Sequence, residues 1–352
     1  MSSIFKKILA SHKNNLPFVS FRKPNSNKIN TYLCEDSSIK YSESYKEEGF
    51  VFAPFHNHNP SIIFLKSKSK VYEDEFVNDS INSTSNSFHQ PLYDQKRHLD
   101  LVISGIDAIK NNQFKKVVLS RKEIIKLDSI DILSIFQRLL CKYENAFVYV
   151  WFHPKIGLWM GATPERLVTL NKREFHTTAL ASTQVFKGNM NPFWGTKEKE
   201  EHQFVLDYIV SQIKNQENGI ILKNFSVSDT YTIKAGNLLH LKAEIKGTIS
   251  DFELKSLLDT LHPTPAVCGL PKAAAKDFIL QNENYDRCYY TGFLGEINTN
   301  LKTELFVNLR CVEIIDTCAV IYVGGGITLD SNPEDEWLET SNKTNTIKSV
   351  LK

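Results

Sequence analysis

The sequence predicts an α+β protein, because strand hairpins and long helices occur together without a repeating strand–helix–strand unit. Residues 166–170 and 174–179 have the composition of strands and flank a turn at 171–172. Helical spacing of apolar residues covers about 196–214 and a C-terminal stretch from about Glu334. This order lacks the regular rhythm of a doubly wound parallel sheet. The 352 residues could form two domains, and one large α+β domain fits equally well.

Composition excludes several classes of protein. Lys and Arg number 42 against 40 Asp and Glu, so the net charge of +2 argues against a nucleic acid as the main partner. The longest apolar runs, such as 146–152, are far shorter than the ~20 residues that cross a bilayer. The N-terminus has no signal-peptide core, and the six cysteines are scattered without a CxxC pair. We therefore expect a cytoplasmic protein with reduced thiols and no membrane partner.

The first hundred residues carry the weakest pattern. Residues 50–53 and 62–65 are apolar runs that predict strands of a peripheral sheet. Residues 66–90 are rich in Ser, Asn and Lys, which predicts a long polar surface connection. From about Arg97 onward helices and strands follow closely, and 306–314 is expected to form a strand.

Two helices carry acidic pairs in line with their apolar stripes. In the helix predicted at 196–214, the stripe extends backwards onto Glu201 and Glu198. In the C-terminal helix, Glu336 and Glu339 lie on the stripe in the same way. Four carboxylates that converge from two helices would suit Mg²⁺ as oxygen ligands. The alternative is that acids in a solvated first turn simply complement the helix dipole.

Other residues allow a functional or a structural interpretation. Lys116 and Arg310 fall on the inward faces of predicted strands, where a buried cation needs a partner. The alternative is that they are solvated at the strand ends, as is usual for Lys and Arg there. The glycines 324–326 follow a strand and could form an anion-binding nest or a tight turn. His262 precedes the first of two prolines, in a loop that is either rigid and buried or built to hold a ligand.

Nine motifs follow one another along roughly two thirds of the chain, from about Lys115 to the C-terminus. They are KVVLSR (116–121), GATPERLV (161–168), ALAST (179–183), EKEEH (198–202), HPTPAVCGLP (262–271), YDRCYYTGFLG (285–295), FVNLRC (306–311), GGGI (324–327) and EDEWLETSNK (334–343). In this order they resemble the chorismate-binding enzymes, which include isochorismate, salicylate, anthranilate and aminodeoxychorismate synthases.

The resemblance implies a single large domain in which two packed β-sheets, flanked by helices, enclose a deep site. Residues 1–95 would form the N-terminal part of this fold, and 96–352 the chorismate-binding catalytic region. The implied cofactor is Mg²⁺, held by Glu198, Glu201, Glu336 and Glu339, and the implied partner is chorismate. Residues implied to contact this substrate are Ala181, Ser182, Thr183, His262, Tyr290, Arg310, Gly324, Gly325, Gly326 and Lys343.

Two positions distinguish the branches of the family. Lys116 stands where anthranilate and aminodeoxychorismate synthases carry glutamine, and Ala181 stands where typical aminodeoxychorismate synthases carry a nucleophilic lysine. The resemblance therefore implies water as the nucleophile, Lys116, kept neutral by burial, as its base and a protonated Glu165 as the acid that releases the C4 hydroxyl. Isochorismate synthase is the expected activity. The alternatives are salicylate synthase and a family member that has lost catalysis and acts as a binding or regulatory subunit.

One residue departs from the family pattern. The family usually reads Ala-Gly-Thr where this chain has Ala181-Ser182-Thr183, so Ser182 adds bulk at the wall of the site. This departure could weaken binding, shift specificity or have no effect if the local φ is negative. The sequence leaves open whether the product feeds menaquinone or siderophore synthesis. We expect a monomer, because no coiled coil or repeat demands a second copy.

Overall fold

The computed structural model describes residues 3–56, 60–77, 92–215, 222–235, 238–249 and 253–351. Helices and strands alternate irregularly along them, as expected for an α+β protein. The helices are α1 (Ser3–Lys13), α2 (Leu92–Lys110), α3 (Ile132–Lys142), α4 (Thr196–Lys214), α5 (Leu254–Leu261), α6 (Lys272–Asn282) and α7 (Pro333–Lys348). None of these helices is both long and apolar enough to span a membrane.

The strands form two sheets, and several neighbours within each sheet are far apart in the sequence. Strands of the first sheet are β1 (Phe18–Arg22), β2 (Lys28–Cys34), β6 (Ser69–Glu75), β7 (Lys116–Lys126), β8 (Phe147–His153), β9 (Gly157–Thr163), β15 (Gly269–Leu270), β18 (Cys311–Ile315) and β19 (Cys318–Ile327). Strands of the second sheet are β3 (Tyr41–Ser42), β4 (Gly49–Ala53), β5 (Ser61–Leu65), β10 (Arg166–Asn171), β11 (Glu174–Val185), β12 (Leu222–Val227), β13 (Tyr231–Ala235), β14 (Leu238–Ile249), β16 (Phe293–Thr299) and β17 (Lys302–Val307).

The two sheets pack face to face, as the resemblance implied. The first has the order β15-β7-β19-β18-β9-β8-β1-β2-β6, and the second β12-β14-β11-β10-β17-β16-β4-β5-β3, with β13 also paired to β14. Aromatic side chains from both sheets fill the space between them. Phe147 stacks on Phe306 with ring centroids 4.4 Å apart, and Phe52 stacks on Tyr289 at 4.2 Å. Burial of such large apolar rings is the main force that holds the layers together.

Helices cover the outer faces of both sheets. Helices α1 and α3 pack on the first sheet, and α4 and α5 pack on the second. Helix α7 crosses β19 and begins at a cap in which the Asn332 side chain accepts from the N–H groups of Glu334 and Asp335. Pro333 at the first helical position suits this start, because its missing N–H would have no partner there.

Several predicted elements are confirmed and others are wrong. The hairpin across 171–172 forms between β10 and β11, and the helix predicted at 196–214 is α4. The strands at 50–53 and 62–65 exist, but they are buried members of the second main sheet rather than of a peripheral one. All six cysteines are free thiols.

The polar connection predicted at 66–90 is wrong over its first part. Ser69–Glu75 forms β6, an edge strand that pairs with β2. Most of its side chains are exposed, so its composition imitates a loop, and its charged residues suit a sheet edge that must not pair further. Residues 78–90 of this predicted connection lie outside the described residues.

The chain passes between the two sheets at two adjacent links, which bring together groups from both. The single strand expected at 306–314 is in fact β17 and β18, one in each sheet, joined by residues 308–310. Residues 164–165 join β9 to β10 in the opposite direction. Hydrogen bonds tie the links: the Val307 N–H donates to the Glu165 carbonyl at 2.9 Å, and the Ala162 N–H to the Arg310 carbonyl at 3.2 Å.

Candidate active site

A deep cavity lies beside these two links, with a volume of about 870 Å³ including its open mouth. Strands β7, β11 and β19, helices α4 and α7 and the two links supply its walls. Most of the predicted site residues line it. They are Glu165, Ala181, Ser182, Thr183, Glu201, Tyr290, Arg310, Gly324, Gly326, Glu339 and Lys343.

Glu165 is a buried carboxyl group on the first link, with 6% of its surface exposed. Burial raises the pKa of Glu165 to about 7, and the positive charges of Lys116, Arg310 and Lys343 only partly offset this effect. The backbone around it is fixed, because the Thr163 hydroxyl donates to the Val307 carbonyl at 2.6 Å. A carboxyl group with this pKa can hold and release a proton near neutral pH.

Arg310 lies on the second link and faces a neutral histidine. Burial lowers the pKa of Arg310 to about 10, although Tyr143 and Glu165 act in the opposite direction. Arg310 Nη2 donates to His240 Nε2 at 2.7 Å, and His240 Nδ1 lies 3.0 Å from the Ser182 carbonyl. His240 must therefore carry its proton on Nδ1, because a carbonyl oxygen can only accept. Burial, and then Arg310, lowers the pKa of His240 to about 3, so the imidazole is neutral.

Ser182 occupies a bulge in β11. Strands β11 and β14 change register between Ala181 and Gln184, so that Ser182 and Thr183 together oppose His240. The φ angle of Ser182 is +64°, in the left-handed region that favours glycine. The possibility that φ is negative at this position is therefore excluded. The Ser182 hydroxyl donates towards the Glu198 carbonyl and the Glu201 carboxylate, at 2.6 and 3.1 Å.

The acidic end of the cavity, beside α4 and α7, holds carboxylates that are paired with lysines. Lys116 is fully buried, and its Nζ lies 2.9 Å from Glu201 Oε1. Burial by itself raises the pKa of Glu201, but Lys116 and weaker effects of Lys343 and Ser182 lower it below its usual value. Lys116 does not line the cavity, whereas its partner Glu201 does.

Helix α7 supplies two further ion pairs. Lys197 Nζ lies 2.9 Å from Glu336 Oε1, and Lys343 Nζ lies 2.6 Å from Glu339 Oε1. Lys343 also donates to the Gly324 carbonyl at 3.0 Å. The pKa of Glu336 is raised by burial and by the nearby charge of Glu339, although Lys197 acts against both. Two mutually repelling carboxylates in this position favour binding of a cation.

The glycines 324–326 form neither a nest nor a turn. They belong to β19 and pair with β7, with Gly324 opposite Ser120 and Gly326 opposite Val118. Because they have no side chain, they leave space for the carboxylates of Glu201 and Glu336. A methyl group on Gly326 would lie 2.5 Å from Glu201 Oε1, and one on Gly325 would lie 3.0 Å from Glu336 Oε2. Because neighbouring strand residues face opposite sides, Gly325 faces α7 while Gly324 and Gly326 face the cavity.

The donor chemistry at this end fits the Mg²⁺ that the family implies. Glu201, Glu336 and Glu339 offer the carboxylate oxygens that this ion prefers, in space that the two glycines leave open. Within the part of the chain that is described, no three His, Cys, Asp or Glu side chains are grouped closely enough to hold an ion as they stand. Each of these three carboxylates forms an ion pair with a lysine.

Five predicted residues do not line the cavity: Lys116, Gly325 and Glu336 lie beside it, and His262 and Glu198 make other contacts. His262 does not line the cavity: its Nε2 lies 2.8 Å from the Thr291 carbonyl, and its ring contacts Phe293 edge-on. Burial lowers the pKa of His262 to about 4, which suits the structural interpretation of a rigid buried loop. Glu198 turns back towards the start of α4, where a methyl group on Gly195 would lie 2.7 Å from its Oε2.

Sequence reasoning missed His240 and Lys197. His240 lies in an alternating strand, where a histidine is an ordinary core residue, and its bonds reach residues 58 and 70 positions away. Lys197 follows directly on the start of α4 among other lysines and acids, and nothing in that pattern distinguishes it. Only its distance to Glu336 does so.

The cavity thus brings together a buried carboxyl group, a guanidinium and lysine–carboxylate pairs. A family model described as "Chorismate binding enzyme" matches residues 56–352, so the chain belongs to the chorismate-binding enzymes.

Individual relatives agree with this family. The chain is 28% identical over 260 residues to "Salicylate biosynthesis isochorismate synthase" of Pseudomonas aeruginosa. The matched region covers 71% of this chain and 53% of that protein. It thus spans about half the length of that relative. "Isochorismate synthase DhbC" of Bacillus subtilis is 27% identical over 281 residues, or 74% of this chain and 69% of that one. The solved structure of MenF, the menaquinone-specific isochorismate synthase from Escherichia coli, shares the fold, with a TM-score of 0.80, 18% identity and coverage of 96% and 89%.

Proposed function

We propose that this protein is an isochorismate synthase, which converts chorismate to isochorismate. Water attacks C2 of the ring, and the hydroxyl group on C4 leaves as water, so the substrate is isomerised. Family membership and relatives named isochorismate synthase support this reaction. The single observation that carries it is the buried Glu165 in the cavity, with a pKa of about 7.

Glu165 is the proposed general acid. Near neutral pH a large share of this carboxyl group is protonated, so it can donate to the departing C4 hydroxyl. A carboxyl group with an ordinary pKa near 4.3 would carry almost no proton under the same conditions. Its position on a link that is hydrogen-bonded to the other link holds the donor in place.

Lys116 is the proposed general base for the attacking water. Its Nζ lies 2.9 Å from Glu201 Oε1, so its use as a base requires this ion pair to be broken first. The expectation that burial alone keeps Lys116 neutral stays a prediction. Gly326 keeps the wall open beside it, since a methyl group there would lie 3.0 Å from Lys116 Cε.

The charges at the two ends suit a dianion. Arg310 and Tyr290 would bind the enolpyruvyl carboxylate, because a guanidinium is the best partner for a planar anion. Lys343 could join them only by leaving Glu339, from which its Nζ lies 2.6 Å away. At the other end, Glu201, Glu336 and Glu339 would hold Mg²⁺, which supplies positive charge for the ring carboxylate when it is bound. Lys197 and Lys343 form ion pairs with Glu336 and Glu339, so the cation would have to displace them.

The test is a direct assay of the full chain with chorismate, with and without Mg²⁺, in which the products are separated by chromatography. We expect isochorismate as the only product, and only with Mg²⁺ present. Salicylate together with pyruvate would identify a salicylate synthase instead. No turnover under any condition would contradict the proposal and favour a binding or regulatory subunit.

A pair of lysine variants assigns the base. Lys116→Ala should lower kcat by at least about a hundredfold, the usual minimum for loss of a general base. Lys122→Ala is the matched control, because this lysine lies on the same strand, β7, and its Nζ contacts the Tyr285 ring 5.1 Å away. A Lys116→Ala protein as active as the control would remove Lys116 from the mechanism.

A further inference from the structure

Ser182 has a conformation that does not suit serine. It is the first residue of the bulge in β11, and its φ of +64° is one that a side chain disfavours and glycine adopts freely. A glycine at this position would form the same bulge without steric conflict. The backbone therefore gives no reason for a serine here, and the reason must be sought in what the side chain contacts.

The Ser182 side chain reaches the first turns of α4. Its Oγ lies 2.6 Å from the Glu198 carbonyl and 3.1 Å from Glu201 Oε2, so one hydroxyl proton is shared between two acceptors on the same helix. The other oxygen of Glu201, Oε1, faces Lys116 at 2.9 Å. Each oxygen of this carboxylate is thus held by a different element, one by β7 and one by β11.

We propose that Ser182 is a positioning residue for Glu201, whose hydroxyl holds the carboxylate of Glu201 in the orientation that binds the divalent cation. This inference rests on the proposed function, in which Glu201 is a cation ligand. Ser182 does not touch the reacting atoms in this role. Its effect passes through Glu201.

The physical basis is the ordering of a carboxylate before it binds. A carboxylate without this bond would rotate more freely, so it would lose more rotational entropy when the cation binds. A hydrogen bond to a charged acceptor is stronger than one between neutral groups. We therefore expect loss of the hydroxyl to weaken cation binding by about tenfold, the usual order for one such bond.

The experiment is a calorimetric titration of the full chain with MgCl₂ in the absence of substrate. Two variants remove the hydroxyl: Ser182→Ala keeps a side chain at positive φ, and Ser182→Gly relieves it. We expect both to bind Mg²⁺ about tenfold more weakly than the parent. Ser211→Ala is the matched control, because the Ser211 hydroxyl on α4 also donates to a helix carbonyl, that of Tyr208 at 2.8 Å, and its binding should be unchanged.

Thermal unfolding separates positioning from stability. Ser182→Gly should melt about 2 °C or more above Ser182→Ala, because only glycine relieves the positive φ. Mg²⁺ affinity should instead be equally low in both variants. The inference would be overturned if Ser182→Gly, which lacks the hydroxyl but melts at a higher temperature, bound Mg²⁺ more tightly than Ser182→Ala.

Two further outcomes are distinct. If the parent binds Mg²⁺ and Ser182→Ala binds it equally well, the inference is wrong and the proposed function stands. If the parent does not bind Mg²⁺, and turns over chorismate without it, the cation assignment of the proposed function is wrong and the inference falls with it.

Discussion

Two glutamates that line one cavity have opposite properties. Glu201 lies 2.9 Å from a lysine ammonium, and its pKa is lowered although burial acts to raise it. Glu165 lies in the same cavity, and burial raises its pKa to about 7. The difference is the local partner: a charge that meets an opposite charge stays ionised, and a charge dominated by burial moves towards neutrality.

The two ends of the cavity differ in the same way. At the acidic end, Glu201, Glu336 and Glu339 each contact a lysine. At the other end, Arg310 donates to an imidazole that is neutral, and burial lowers the pKa of Arg310 to about 10. An anionic ligand would thus improve the environment of Arg310, whereas a cation at the acidic end must compete with lysines.

The largest effect is expected at Glu165. Glu165→Gln keeps the shape of the side chain but has no proton to give to a leaving hydroxyl. We expect kcat to fall about a thousandfold, within the usual range for loss of a general acid. The measurement is turnover of chorismate at saturating substrate, with the exposed Glu200→Gln on α4 as the control. Equal rates in the two variants would show that the raised pKa of Glu165 has no role in catalysis.

The second effect concerns stability against pH. The pKa of Glu165 lies near 7 in the folded protein and near 4.3 in the unfolded chain, so the folded state binds the proton more tightly. Stability from this group is therefore fully present at low pH and is lost as pH rises from about 4 to about 8. Glu165→Gln should be more stable than the parent by up to about 3 kcal/mol at pH 8, with a smaller difference at pH 5.

Urea unfolding at the two pH values checks this expectation, and Glu244→Gln is a control of opposite sign. The pKa of Glu244 is lowered to about 2, first by its hydrogen bond to Lys246. Its contribution is present above the unfolded pKa and is lost as pH falls, so its variant should be less stable than the parent at neutral pH. If Glu165→Gln and Glu244→Gln changed the free energy of unfolding in the same direction, the proposed contrast between these two carboxyl groups would be wrong.

The third effect tests the neutral partner of Arg310. His240→Ala removes the acceptor at 2.7 Å and leaves the guanidinium less well oriented. We expect KM for chorismate to rise about tenfold with a smaller change in kcat, the cost of about one hydrogen bond. His240→Gln, whose side-chain oxygen can accept from Arg310, should recover part of the loss. Unchanged KM in His240→Ala would show that Arg310 needs no positioning by this ring.

The smallest effect is expected at Lys197. Lys197→Met removes the ammonium that opposes a cation at Glu336, so Mg²⁺ should bind about two- to fivefold more tightly, in line with a partly exposed ion pair. The exposed Lys199→Met on the same helix is the control. Weaker binding would mean that Lys197 orders Glu336 rather than competing for it.

The sequence was most informative where a signal is local. The acids of α4 and α7 stand three residues apart on apolar stripes, so their helices and their inward face could be predicted from spacing. The hairpin of β10 and β11 was predictable from its turn. Spacing alone did not distinguish Glu198 from Glu201, because both lie on the same stripe. Only Glu201 lines the cavity.

What could not be predicted depends on contacts between distant segments. The division of 306–314 between two sheets leaves no mark in composition, since both halves are strand-like. The glycines 324–326 suggested a turn, and their pairing with β7 is visible only in the fold. Edge strand β6 resembled a loop because an edge needs few apolar residues.

The two links between the sheets have a consequence for how the cavity can deform. Glu165 and Arg310 sit on neighbouring segments that are bonded to each other at Val307 and Ala162. If one sheet slides against the other, these two groups travel as a unit and keep their mutual spacing. The carboxylate of Glu201 on α4 is held differently, by Lys116 of β7 and Ser182 of β11.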